Sequence, residues 1–193
     1  MVHFKIIGSL SACILFLMMS GCSTRQVAEQ FNGSTEQRLV THSVDQLMRS
    51  LPQEPLNLLT QKKVFLQSHF IKEGVLLDYA TSRLKAEISQ RYHSSWVASP
   101  KISDYVIDVF FTSLGTDQDS FGLSIPLPVQ GEGTEPAKIP ILSFDMFHGI
   151  SEMYLYLTET ATNNIVLLPT QKKELRTDKI STPIITIPVS SVD

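Results

Sequence analysis

The apolar positions fall into blocks of two different periods, and the periods predict the elements. Leu39, Val40, Val44, Leu47, Met48 and Leu51 recur at near-helical intervals, which puts them on one face of a helix over 35–51. Ser34-Thr35-Glu36-Gln37 fits a capping box at its start, and Pro52 and Pro55 stop it. Residues 63–68 read as a short strand. Gly74 breaks the chain before a second helix over 75–92, with Leu77, Ala80, Leu84 and Ile88 along one face and Asp78, Ser82, Lys85 and Ser89 toward solvent. Residues 94–98 form another short strand, stopped by Pro100. The segment 104–112 is dense in Tyr, Val, Ile and Phe. It predicts a central strand with Ile107 and Val109 in the core. Residues 153–158 and 164–168 alternate as strands and make a hairpin through 160–163. A charged connection follows over 172–179. Residues 183–190 suit an edge strand, since Pro188 cannot donate to a ladder.

The segment 115–143 breaks this rhythm. It holds four of the nine glycines and four of the ten prolines, and reads as a long loop. Within it Phe121-Gly122-Leu123-Ser124-Ile125-Pro126-Leu127-Pro128-Val129 is apolar and stiffened by proline. Leu123, Ile125 and Leu127 alternate and would present one face to a protein partner. The competing reading is that the segment folds back over the sheet or its edge. The order of elements has too few crossover helices for a three-layer parallel fold. It predicts an α/β (α+β) domain over 35–193, a single mixed sheet with two main helices packed on it. No internal repeat is visible.

The N-terminus reads as an address. Lys5 supplies a positive charge, and 6–19 is a mostly apolar run of 14 residues without charge. That is short of the roughly 20 needed to span a bilayer. It ends in Met19-Ser20-Gly21-Cys22. The pattern resembles a bacterial lipoprotein signal peptide with its lipobox, with Met19 where Leu is usual. The resemblance implies a signal over 1–21 and a mature chain that starts at Cys22 with a thioether-linked diacylglycerol and an N-acyl chain. Each buried CH₂ of such chains contributes about 0.8 kcal/mol to membrane attachment. Ser23, in place of Asp, favours the outer membrane by the same resemblance, and 22–34 reads as a lipidated tether.

Composition narrows the chemistry. With 42% hydrophobic and 18% charged residues, the chain is not disordered as a whole. A net charge of −3 offers no field for nucleic acid. Cys13 leaves with the signal, so the mature chain keeps one cysteine and no internal disulfide. His42, His69, His93 and His148 show no metal-site spacing. Asp117 and Asp119 begin like a calcium loop with Gly122 at its glycine position, but Pro128 stands where the bidentate Glu is required. Ser143, Asp145 and His148 lie close in sequence without a G-x-S-x-G elbow. No catalytic residue, metal or cofactor is expected.

The order of elements resembles the small periplasmic α/β domains of lipoprotein activators of penicillin-binding proteins, of the TolB N-terminal domain and of CsgG. The resemblance runs through the strand at 63–68, the helix at 75–92, the strand entered by Ser103-Asp104-Tyr105 and the hairpin at 153–168. The runs Lys63-Val64-Phe65-Leu66, Ser113-Leu114-Gly115-Thr116-Asp117 and 122–128 are similar to a family of uncharacterised bacterial lipoproteins. Together these imply a lipid-anchored, non-catalytic module of the cell envelope that faces the periplasm and binds or assembles an envelope protein. The alternative is an envelope hydrolase acting on a peptidoglycan or lipid substrate. Self-assembly is a third possibility, and the oligomeric state stays open.

Overall fold

The computed structural model describes residues 24–26, 34–71, 73–126 and 138–189. The expected signal, Cys22, most of the tether and Leu127 lie outside the described residues. Among these residues two α-helices, α1 (Ser34–Arg49) and α2 (Val75–Tyr92), accompany seven strands. These are β1 (Thr24–Gln26), β2 (Lys63–His69), β3 (Ser95–Trp96), β4 (Tyr105–Pro126), β5 (Lys138–Glu159), β6 (Ile165–Ser181) and β7 (Thr186–Pro188). The class is α+β with a single mixed sheet, ordered β3-β2-β4-β5-β6-β7 and with β1 paired to β4. The chain divides into two compact units. Among the described residues a helical unit comprises 34–71, 73–116 and 148–176, and a strand unit comprises 24–26, 117–126, 138–147 and 177–189. Among the described residues no helix is long and apolar enough to cross a membrane.

In the helical unit β2 runs parallel to both β3 and β4, with Val64 opposite Trp96 and Tyr105, and His69 opposite Phe110. Parallel neighbours need a crossover, and α2 supplies it. β5 runs antiparallel to β4, since Thr160 N–H donates to the Asp104 carbonyl while Thr112 donates to the Glu152 carboxylate further along. The turn into β6 closes through Asn163 N–H to the Glu159 carbonyl, with Asn163 left-handed at φ 55°, a conformation Asn tolerates well.

One face of this sheet and the apolar stripes of the helices make the core. Val44, Leu47 and Met48 of α1 and Ala80, Leu84 and Ile88 of α2 are buried with Ile107 and Val109 of β4 and Met153, Leu155 and Leu157 of β5. Gly149 lets α1 approach β5, because a Cβ there would lie 2.5 Å from the Leu39 carbonyl oxygen. Leu77, expected inside, is only partly buried at the margin of the cluster. The α1 C-terminus is closed by α2: the Arg91 guanidinium donates to the carbonyls of Met48, Arg49 and Leu51 and to buried Glu87. A cation here also opposes the negative end of the helix dipole. Asp45 of α1 accepts from Tyr79 at 3.0 Å and Arg83 at 2.6 Å. Burial first, and then this hydrogen bond, push the Tyr79 phenol above its ordinary pKa.

Two expectations need correction. The segment 115–143 is not one long loop: β4 continues through Pro126 and β5 begins at Lys138. Glycine and proline density argued for a loop, but Gly122 is there for a close strand approach. A Cβ on it would lie 2.1 Å from the Leu142 carbonyl oxygen and 2.8 Å from the Ser143 Cα. Pro126 stands at the strand end, where no ladder donor is lost. The charged stretch 172–179 is not a connection either, but part of β6. Its residues alternate in exposure from Lys172 through Thr177, as a half-solvated strand does.

In the strand unit β1 pairs antiparallel with β4, Thr24 opposite Ser120. β7 pairs antiparallel with β6, Lys179 opposite Pro188 and Ile180 opposite Ile187. β7 is the expected edge strand, and it keeps Pro188.

Candidate functional site

Cross-strand contacts sort the side chains of the strand unit into two faces. Phe121 of β4 stacks on Phe144 of β5, with centroids 5.0 Å apart and planes 6° from parallel. On the opposite face the Ser120 hydroxyl donates to Asp145 at 2.7 Å. The Lys179 ammonium lies 4.8 Å over the Phe147 ring, so odd-numbered β6 positions share the face of Asp145. Ile180 therefore lies with Phe144, and its ladder partner Ile187 lies with it. One face thus gathers Phe121, Leu123 and Ile125 of β4, Leu142 and Phe144 of β5, Ile180 of β6 and Ile187 of β7, with Ile185 and Val189 flanking β7.

This face is not buried. Phe121, Leu123, Ile125, Ile185, Ile187 and Val189 are each between 46% and 59% exposed. Contiguous apolar patches beyond a few hundred Å² are uncommon on soluble monomers and mark interaction surfaces. The reverse face is more polar, and it also carries the buried ring of Phe147 beneath Lys179. Asp145 accepts from Ser120 and, at 3.2 Å, from Ser143, while Gln118 donates to Ser120. The strand unit is an amphipathic sheet.

The structure brings Leu123 and Ile125 together on that face, as their alternation predicts; Leu127 and Cys22 lie outside the described residues. The other contributors were missed, because Phe144, Ile180 and Ile187 sit on segments far apart in sequence. The one local signal for them was the alternation of Ile185, Ile187 and Val189.

The remaining candidates resolve separately. Asp145 is engaged by two serines, while His148 Nδ1 lies 3.1 Å from Glu174, which also meets Lys172 at 3.2 Å. The Lys172 hydrogen bond, and then that of His148, hold the Glu174 carboxyl below its ordinary pKa. No group of three or more His, Cys, Asp or Glu side chains is placed to hold a metal among the described residues. In the helical unit His69, Phe110 and Tyr154 form a stacked row across three strands, with centroids 4.4 and 5.1 Å apart, and Asp108 fixes His69 at 3.2 Å. These rings occupy one another's faces, so the row stiffens the sheet more than it offers a flat platform.

No family model matches the chain. No curated protein matches it in sequence. Among solved structures, the C-terminal domain of LpoB from Salmonella enterica is similar at a TM-score of 0.36 and 7% identity, over 70% of this chain and 97% of that chain.

Proposed function

We propose that the protein is a lipid-anchored, non-catalytic module of the bacterial envelope that binds or assembles an envelope protein. In this reading it is held at the outer membrane through Cys22, with the folded chain facing the periplasm. The observation that carries the docking role is the apolar face of the strand unit, with Leu123 and Ile125 half exposed upon it. Leu127 continues the same alternation in sequence. The lipobox-like run Met19-Ser20-Gly21-Cys22 supports the anchor. A tethered chain with an adhesive face works by position, since attachment raises the effective concentration at which that face meets its target.

The test is capture from the envelope with the full chain as bait, beside a Leu123→Asp/Ile125→Asp variant. The wild type is expected to retain an envelope protein, and the variant to lose it at an unchanged melting temperature. Equal capture by both, or a sharply lower melting temperature in the variant at a dilution where copies are apart, rejects docking through this face. The latter would mean that the substitutions bury charge under a structural cover. In parallel, labelled palmitate should enter the wild type and not Cys22→Ser; equal labelling would reject the anchor.

A further inference from the structure

We infer that the apolar face of the strand unit is a self-association surface, occupied by the same face of a second copy of this chain packed sheet on sheet. The inference rests on the docking role proposed above and names the partner of that surface. Size is the first argument. Six side chains each about half exposed, with Leu142, Phe144 and Ile180 between them, present on the order of 600–700 Å² of apolar surface. A standard interface takes about 800 Å² from each partner, and the surrounding rim supplies the difference.

Chemistry is the second argument. The nine side chains named for this face carry no ionisable group, and the carboxylates that share it by alternation, those of Asp117 and Asp119 on β4 and of Asp178 on β6, lie toward one end of it. Sheets pack face to face at about 10 Å with strands roughly 30° apart, and side chains from alternate positions interdigitate. Phe121, Leu123 and Ile125 on β4 and Ile187 on β7, flanked by Ile185 and Val189, provide that spacing on both copies. Charge at the margin sets the direction. Asp117 and Asp119 share the alternation of Phe121 and so continue the β4 side of this face. A two-fold arrangement with antiparallel strands keeps the acidic ends of the two copies apart. The same carboxylates disfavour an anionic lipid surface as the occupant, and Lys179, over the Phe147 ring, is on the reverse face.

The experiment is cysteine cross-linking of the full chain in intact membranes, in a Cys13→Ser parent whose own product sets the background. Ile180→Cys lies in the middle of the apolar face; its neighbour Lys179→Cys lies on the polar face. With a short bis-maleimide, Ile180→Cys is expected to give a product of twice the chain's mass, identified by mass spectrometry. Lys179→Cys should stay at background. Adding Leu123→Asp/Ile125→Asp should return Ile180→Cys to background, with the variant as protease-resistant as its parent. A product that contains a different protein overturns the second-copy inference and leaves the docking role standing. No product above background from Ile180→Cys overturns both. Equal products from Ile180→Cys and Lys179→Cys indicate collision without a defined face and overturn self-association.

Discussion

The two units treat the same kind of strand in opposite ways. In the helical unit the alternate residues Ile107 and Val109 of β4 are 0% exposed beneath α1 and α2. In the strand unit Phe121, Leu123 and Ile125 of the same strand alternate just as regularly and stay about half exposed. Strand alternation therefore gathers apolar side chains on one face but does not say what covers them. Where the chain supplies amphipathic helices, the face becomes core. Where it supplies none among the described residues, the face is left for another surface.

The sharpest way to break this comparison is to remove the same side chain in both places. Ile107→Ala should cost about 2–5 kcal/mol, because the methyl groups lost leave a cavity that the helices cannot fill. Ile125→Ala should stay within about 0.5 kcal/mol, as surface changes usually do. Chemical denaturation of the two variants, at a dilution where copies are apart, measures both. Similar losses would mean that the strand-unit face is covered in the free protein, and the contrast between the two units would fail.

A smaller effect tests how the helical cover is held. Arg91→Ala removes the donor shared by the carbonyls of Met48 and Arg49 at the end of α1 and of Leu51 just beyond it, and leaves Glu87, with its side chain 11% exposed, paired with Arg83 at 3.9 Å. Unpairing buried polar groups costs about 1–3 kcal/mol. The expected loss is in that range, with hydrogen exchange accelerating at the α1 C-terminus before the rest of the unit. An unchanged midpoint would show that water replaces the guanidinium at no cost.

Much of the helical unit was legible because its signals are local. The stripe from Leu39 to Met48 and the β-branched density around Ile107 each name an element without knowledge of its neighbours, and α2 begins and ends where its pattern does, at Val75 and Tyr92. The strand unit was harder to read for a physical reason. Gly122 and Pro126 are loop residues by composition, yet here one permits a close strand approach and the other ends a strand. The charges of 172–179 argued for solvent, and a strand solvated on alternate positions satisfies that equally well. Of the candidate face, Leu123 and Ile125 were visible because they share a strand. Phe144, Ile180 and Ile187 join them only through ladder pairing, which no local window contains.

The smallest expected effect concerns β6 where it belongs to the helical unit. Glu174 receives hydrogen bonds from Lys172 and His148, and these hold its carboxyl below the ordinary value of 4.5. A carboxyl with a depressed folded pKa adds stability that is fully present above the unfolded value and is lost as pH falls through the folded value. The contribution should therefore be constant at neutral pH and fade below about pH 4.5. Glu174 is well exposed, with 43% of its side chain accessible, so solvent screens the pair and the effect is small. Glu174→Gln should leave the neutral melting temperature nearly unchanged and flatten the acid limb of its pH profile. Ile107→Ala should lower the whole profile without changing its slope. If Glu174→Gln instead lowers stability by a similar amount at every pH, the carboxylate contributes through packing in β6, and the charge pairing with Lys172 and His148 is incidental.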